Sequence, residues 1–252
     1  MLVSIITASF NNVSTIENTI QSVLSQSFTN IEYIVIDGNS TDGTLEILEK
    51  YRSRISKIVC EKDNGIYDAL NKGLSLATGD VVGFLHADDF YASNQIISNI
   101  VDVFEHTNSD AVYGDLLYVD KNNIDKIFRY WQAGEFSRKK IKLGWMPPHP
   151  TLFVKNSIYK KVGFFDTIFK IAADYDMILR LFYKHQISVS YLPKVIVLMR
   201  TGGASNRNLK NIFNKMREDL KALRKNKIPF PLWVLFLKNI SKIPQFIFRT
   251  NY

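Results

Sequence analysis

Apolar positions fall into short continuous runs separated by longer amphipathic stretches. Residues 2–9, rich in Val and Ile, form a β-prone run that Asn11-Asn12 breaks. Ser14-Thr15-Ile16-Glu17 has capping-box spacing and predicts a helix with Ile16, Ile20, Val23 and Leu24 on one face. Residues 31–36 read as a second strand and 55–60 as a third. The turn-rich segment 37–44 lies between them, followed by a helix carrying Leu45, Ile47, Leu48 and Tyr51. Ile66, Ala69, Leu70, Gly73, Leu74 and Ala77 recur at helical spacing, and Thr78-Gly79-Asp80 ends that helix.

The run Val81-Val82-Gly83-Phe84-Leu85 then reads as a buried strand that stops at His86-Ala87-Asp88-Asp89. Strand, helix, strand repeated in this way predicts an α/β fold: a mostly parallel central sheet flanked by helices. The second hundred residues are less regular. Residues 111–119, 151–154, 187–192 and 195–199 read as strands, and 157–162 as a short helix. Residues 174–185 read as a longer helix with an apolar stripe of Met177, Ile178, Leu181 and Phe182. Residues 131–150, which include Trp145, read as a long loop over the site.

Polar residues cluster where predicted strands end: Thr7 and Ser9, Asp37, Asp63 after the third strand, and Asp88 with Asp89. Strand tips of a parallel sheet converge on one cleft. Adjacent carboxylates repel, so they need water, donors or a hard divalent cation. Taken singly, Asp37-Gly38, Asp63 and Asp88-Asp89 also read as ordinary solvated turns. No G-x-G-x-x-G or phosphate-binding P-loop follows any strand.

The 252 residues fit one large α/β domain, or one domain with an appendage, and 46% apolar content is enough for a full core. A single cysteine, Cys60, excludes an internal disulfide, fits a reducing compartment and reads as a small core residue. The amino terminus lacks the pattern of a signal peptide, and no run approaches a spanning helix. The net charge of +8 is uneven: residues 207–252 hold eleven Lys and Arg against Glu218 and Asp219, a net of +9. The body is near neutral. The tail pairs helical apolar positions (Leu209, Ile212, Phe213, Met216, Leu220, Leu223) with cations, then adds a Trp-containing apolar run after Pro231. This pattern points to an anionic membrane surface, or to packing against the body or a second subunit. The expected organisation is a catalytic domain over 1–206, with a donor half (1–90) and an acceptor half (91–206), and a basic amphipathic helical tail over 207–252.

Together these residues resemble the family 2 inverting glycosyltransferases, with their A-type, Rossmann-like nucleotide-sugar-binding fold. Ser4-Ile5-Ile6-Thr7-Ala8-Ser9-Phe10-Asn11, the segments 35–44 and 77–80, Phe84-Leu85-His86-Ala87-Asp88-Asp89 and Ala173-Asp174-Tyr175-Asp176 carry the resemblance in the family's order, over roughly 2–205. The segment 61–73 resembles the branch that builds bacterial surface polysaccharides. The resemblance implies that Thr7, Ser9 and Phe10 flank the nucleotide and that Asp37 meets a uracil-type base. It implies that Asp63 lies near the donor, and that Asp88 and Asp89 serve the ribose and a Mn2+ or Mg2+ ion on the diphosphate. Asp174 is then the catalytic base. His149 lies at the acceptor side, and His86, Trp145 and Arg200 are further candidates. His86 stands where the family usually has an acidic residue, and Ala173 where it usually has Glu.

These residue types suit the chemistry: a divalent cation stabilises a diphosphate leaving group, and a carboxylate takes the acceptor's proton. The expected reaction is transfer from a nucleotide sugar, with UDP favoured, to a lipid-linked saccharide in capsule, O-antigen or exopolysaccharide synthesis. The expected location is peripheral, on the cytoplasmic face of the cell membrane, and an oligomer is left open. A metal-dependent nucleotidyltransferase would share such a sheet but normally carries a Gly- and Lys-rich phosphate loop. A nucleic-acid-binding protein would account for the basic tail alone, and no motif of that class is present.

Overall fold

The computed structural model describes residues 1–202, 209–242 and 245. Strands β1 (Val3–Ser9), β2 (Ile31–Asp37), β3 (Lys57–Cys60) and β4 (Val81–Phe84) lie in the order β3-β2-β1-β4, all parallel. Their continuous apolar runs serve two cores, because successive side chains point to opposite faces. Ile6, Ile34 and Ile36 pack with Leu70 and Leu74 of α3 (Ile66–Leu76). Ile5, Tyr33 and Val35 pack with Ile16, Ile20 and Ile47 of α1 (Ile16–Leu24) and α2 (Thr44–Lys50). Gly73 lets α3 approach the sheet: a Cβ there would lie 2.4 Å from Ile6 Cγ2.

The second half comprises β5 (Asp89–Tyr91), α4 (Ile96–Thr107), β6 (Ala111–Val119), β7 (Ile127–Trp131), α5 (Arg138–Ile141), β8 (Phe153–Lys155), α6 (Asn156–Val162), α7 (Ala173–Ile178) and β9 (Val189–Arg200). The α/β class holds, but only the first four strands are uniformly parallel. β8 runs antiparallel to both β4 and β6, β5 antiparallel to β9, and β7 antiparallel to β6, while β9 is parallel to β6. β5 and β8 are three residues each and follow turns or loops, not the crossover helix that a parallel neighbour needs.

Several local expectations change. The capping box at Ser14 does not form. Thr15 is the N-cap and makes no side-chain cap bond, while the Asn12 carbonyl receives the Thr15 and Ile16 N–H groups. Cys60 is exposed on the edge strand β3, so it is not a core residue. The predicted strands 187–192 and 195–199 are one strand, β9, whose register against β6 shifts around Asp115. The predicted loop 131–150 contains α5 and ends in a 3-10 turn at His149–Thr151. The apolar stripe of α4 was legible in Ile96, Ile97, Ile100, Val101 and Phe104 but not anticipated.

Beyond β9, α8 (Leu209–Lys225) and α9 (Pro231–Ile240) pack on the body. Ala222, Leu223, Ile228, Val234 and Leu235 belong to the same core cluster as Met177 and Phe182. The expected boundary at 206/207 lies outside the described residues. Among the described residues, no helix is long and apolar enough to cross a membrane.

Candidate active site

The parallel register sets Ser9 beside Asp37 and Asp37 beside Cys60, so three strand ends open on one edge. Asp37 is fully buried and accepts hydrogen bonds from the Ser40 backbone N–H (2.7 Å) and the Ser40 hydroxyl (2.8 Å). Ser40 Oγ in turn accepts from Asn11 N, and Asn11 Oδ1 accepts from Thr41 N (2.9 Å), which ties the turns after β1 and β2 together. Gly38 forms the floor of a slot. A Cβ there would meet Asp63 Oδ2 at 2.6 Å and the Phe10 ring at 3.1 Å. Phe10 is 60% exposed and offers a flat aromatic surface. Asp63 Oδ1 is held by Gly65 N–H at 2.9 Å. The Ser9 hydroxyl is buried beside the slot with no hydrogen-bond partner. Thr7 is different: it is fully buried, with its hydroxyl 3.1 Å from that of Tyr33, so it supports the cleft from below and does not line it.

β4 ends in a tight turn in which Asp89 N–H returns to His86 C=O at 3.0 Å. Asp88 is half-buried at the edge. Asp89 instead begins β5 and is 1% exposed, which corrects the expectation of a solvent-facing pair. Neither Asp89 carboxylate oxygen has a hydrogen-bond partner in ordinary geometry. Burial, with Asp88 adding to it, pushes the Asp89 carboxyl well above the usual carboxylate range, and Arg200 opposes the shift only in part. Arg200 bridges this turn to α1, donating to Asp88 C=O (2.7 Å) and Asn18 Oδ1 (2.8 Å), with its guanidinium 4.7 Å from the Phe90 ring centroid.

Asp174 reaches the same region from the first turn of α7. It is not the helix N-cap, a place taken by Ala172; its Oδ1 accepts Tyr175 N–H at 2.8 Å and lies 3.3 Å from the Tyr67 hydroxyl. That hydroxyl is closer to Ile171 C=O (2.7 Å), so the single proton of Tyr67 goes there and the carboxylate stays available. His86 and His149 stack with ring centroids 6.2 Å apart, and His86 Nδ1 and His149 Nε2 are buried and unpartnered. Burial lowers the pKa of His149 to about 4 and also lowers that of His86, although Asp174 pulls both the other way. Both rings are therefore neutral near pH 7. Trp145 is packing: its indole N–H donates to Ala133 C=O at 2.8 Å and its rings lie among Tyr113, Phe136 and Phe182.

The supporting residues were less legible. Glu218 of α8 accepts the backbone N–H groups of Lys170, Ile171 and Ala172 (3.1, 2.8 and 2.9 Å), which fixes the chain just before Asp174. Asp176 is fully buried, paired with Arg180 and Lys225 and bonded to Asn226, so it faces away from the cleft. Asn71 clasps both Phe165 N and Phe165 O at 2.9 Å, which docks the segment 163–174 on α3. An Asn one turn after Tyr67 on an otherwise apolar helix face was the only signal of this clasp. The segment 77–80 lies at the opposite, amino-terminal edge: Thr78 N–H and hydroxyl both donate to Glu32, and Leu2 N–H donates to Asp80.

A slot beside Asp37, a carboxylate turn and a free carboxylate thus share one sheet edge. Residues 4–169 match the model of glycosyl transferase family 2. The chain belongs to that family. It is 29% identical over 208 residues to a PGL/p-HBAD biosynthesis glycosyltransferase of Mycobacterium bovis, covering 81% of this chain and 78% of the relative. It is 33% identical over 180 residues to an uncharacterised glycosyltransferase of Mycobacterium tuberculosis, covering 71% and 68%. Staphylococcus aureus TarS 1–349, solved with UDP-GlcNAc, shares the fold with a TM-score of 0.69 at 20% identity, over 88% of this chain and 66% of that one. The chain spans 40% of a longer TarS chain. The mannosyltransferase of Pyrobaculum calidifontis, solved with GDP-Man and Mn2+, gives a TM-score of 0.66 at 18% identity, over 97% and 72%. Membership sets aside the nucleotidyltransferase and nucleic-acid readings for this glycosyltransferase.

Proposed function

We propose that this glycosyltransferase moves a sugar from a UDP-sugar to a hydroxyl of a lipid-linked saccharide, with inversion, in the synthesis of a bacterial surface glycan. The convergence of the Phe10–Gly38–Asp63 slot, Asp88 and Asp174 on one edge carries this reading. The pyrimidine lies against Phe10 above Gly38, and Asp37, already held by Ser40, reads its edge. Ser9 Oγ finds its missing partner on the nucleoside. Gly38 is required because any side chain would displace Asp63. The TarS fragment solved with UDP-GlcNAc supports a nucleotide-sugar donor. The M. bovis relative, named for PGL/p-HBAD biosynthesis, supports a glycolipid-type acceptor.

The residues fit a divalent ion. Asp88 presents a half-buried carboxylate, and behind it the two Asp89 oxygens are orphaned, which a hard cation with oxygen ligands would satisfy. Among the described residues no three His, Cys, Asp or Glu side chains cluster as a complete cage. That is the pattern expected when substrate phosphates complete the shell. Bound there, Mn2+ or Mg2+ would act as a Lewis acid on the leaving diphosphate. Asp174 removes the acceptor proton, Tyr175 N–H holds its carboxylate, and neutral His149 and His86 offer ring nitrogens to sugar hydroxyls without competing for Asp174 as cations would. The test is hydrolysis and transfer across a panel of nucleotide sugars, with Mn2+ and with EDTA. Turnover of UDP-sugars that EDTA abolishes supports the reading; preference for a GDP-sugar, or full activity in EDTA, contradicts the donor or the metal assignment respectively.

A further inference from the structure

The inner and outer faces of α8 and α9 differ sharply. On α9, Val234, Leu235 and Lys238 turn inward, while Leu232, Trp233, Phe236 and Ile240 are 64%, 57%, 52% and 44% exposed. At 100° per residue those four form one stripe opposite the buried side. Trp233 and Phe236 stack with centroids 5.4 Å apart. Preceding them, Phe230 sits between Pro229 and Pro231, 80% exposed and with φ 51°. A left-handed conformation is costly for an aromatic residue, and such strain concentrates at functional positions. Ile212, Phe213 and Met216 of α8 are also exposed.

The charge is sorted in the same way. The two acidic residues of the tail both point inward, Glu218 to the backbone before Asp174 and Asp219 to an enclosed ion pair with Lys238 at 2.8 Å. The outward polar side chains of α8 include Arg217, Lys221 and Arg224, which with Lys225 and Leu220 line a recess of about 410 Å3. The body adds to this. Gly144 (φ 84°) packs against the α9 backbone, where a Cβ would lie 2.7 Å from Lys238 N and from Val234 O. That contact sets the exposed Arg138, Lys139, Lys142 and Leu143 beside the helix.

We propose that α8, α9 and the α5 end of the body form one docking face for an anionic bilayer, with Phe230, Trp233 and Phe236 in the headgroup layer and the cations on lipid phosphates. An exposed aromatic stripe flanked by these cations matches that surface in both polarity and charge. The inference rests on the reading of a lipid-borne acceptor and names the surface that meets it. The same helices hold the base: Glu218 fixes the chain before Asp174, and Lys238 Nζ lies 3.2 Å from the Tyr175 ring centroid. Removing the tail would therefore expose the α7 core, so point variants are the proper probe.

The test is flotation of the full chain with phosphatidylcholine vesicles, with and without phosphatidylglycerol, for wild type and for Trp233→Ser/Phe236→Ser. The wild type should float with the anionic vesicles at low salt and be released by high salt. The double variant should partition at least about tenfold less, while keeping its melting temperature and UDP affinity. Equal flotation of the two forms would overturn the proposal. So would absence of wild-type flotation, or a wild-type dimer that the double variant converts to monomer, since the stripe would then be a self-association face. UDP calorimetry on the same samples separates the readings: flotation without UDP binding leaves the docking face standing and sinks the donor assignment, and the reverse sinks only the docking face.

Discussion

Glu32→Gln tests whether the Thr78-Gly79-Asp80 segment is a structural clasp and not part of the catalytic edge. Glu32 sits in β2, 8% exposed, and accepts from Ser4 Oγ (2.6 Å), Lys57 Nζ (2.8 Å), Thr78 N (2.8 Å) and Thr78 Oγ1 (2.9 Å). Burial alone would raise its pKa, but the four donors more than offset this and lower it from 4.5 to about 2. At ~1.4 kcal/mol per pKa unit, that shift is worth about 3 kcal/mol of stability. Because the folded-state pKa is depressed, the stabilisation is fully present above about pH 4.5 and is lost as pH falls toward 2. Gln keeps one acceptor but turns an NH2 group toward donors. Glu32→Gln should therefore lower stability at pH 7 by about 2–3 kcal/mol, roughly 5–10 °C in melting temperature for a chain of this size. The assay is urea denaturation of both forms from pH 7 to pH 2.5, alongside UDP calorimetry. The gap should close as pH falls, with UDP affinity unchanged throughout. Equal stability at pH 7, a gap independent of pH, or lost UDP binding would each refute the reasoning.

Other outcomes follow from the same geometry. Asp174→Asn should slow transfer by about 10²–10⁴ with little change in UDP-sugar affinity, read by initial rates and calorimetry; a large loss of donor binding would make Asp174 a donor ligand. Asp37→Asn should weaken UDP binding by about tenfold or more, and the wild type should bind UDP more tightly than GDP or ADP. For Asp89 the folded-state pKa is raised, so in the metal-free protein this carboxyl increasingly opposes folding as pH climbs above its unfolded value near ~3.9. Asp89→Asn should then melt at or above the wild-type temperature at pH 7 while losing Mn2+-dependent turnover; a clear drop in melting temperature would contradict the burial argument.

What the sequence alone determined is what depends on local pattern. Continuous apolar runs alternating with amphipathic stretches specify parallel strands and covering helices through β4, because those elements follow from side-chain periodicity and short crossovers. The residues at the ends of those strands, Ser9, Asp37 and Asp88, had to fall at the carboxyl edge once the sheet was parallel, so their shared edge was legible in advance. Only the tertiary structure decided the rest. β8 enters between β4 and β6 in reverse, a pairing of segments about 40 to 70 residues apart in sequence that no local spacing encodes. Asp88 and Asp89 are neighbours with the same chemistry, yet one meets the edge and the other is enclosed, because β9 pairs with β5 directly after the turn. Thr78 and Asp80 belong to a segment that carries the family resemblance, and strand direction sets them at the far edge of the sheet. Glu218 and Asp219 were merely the two acids of a basic tail until α8 packed on α7 and turned both inward, one onto the chain before Asp174 and the other onto Lys238. Such contacts depend on where distant segments meet in three dimensions, which hydrophobic periodicity constrains only by requiring that apolar faces be covered.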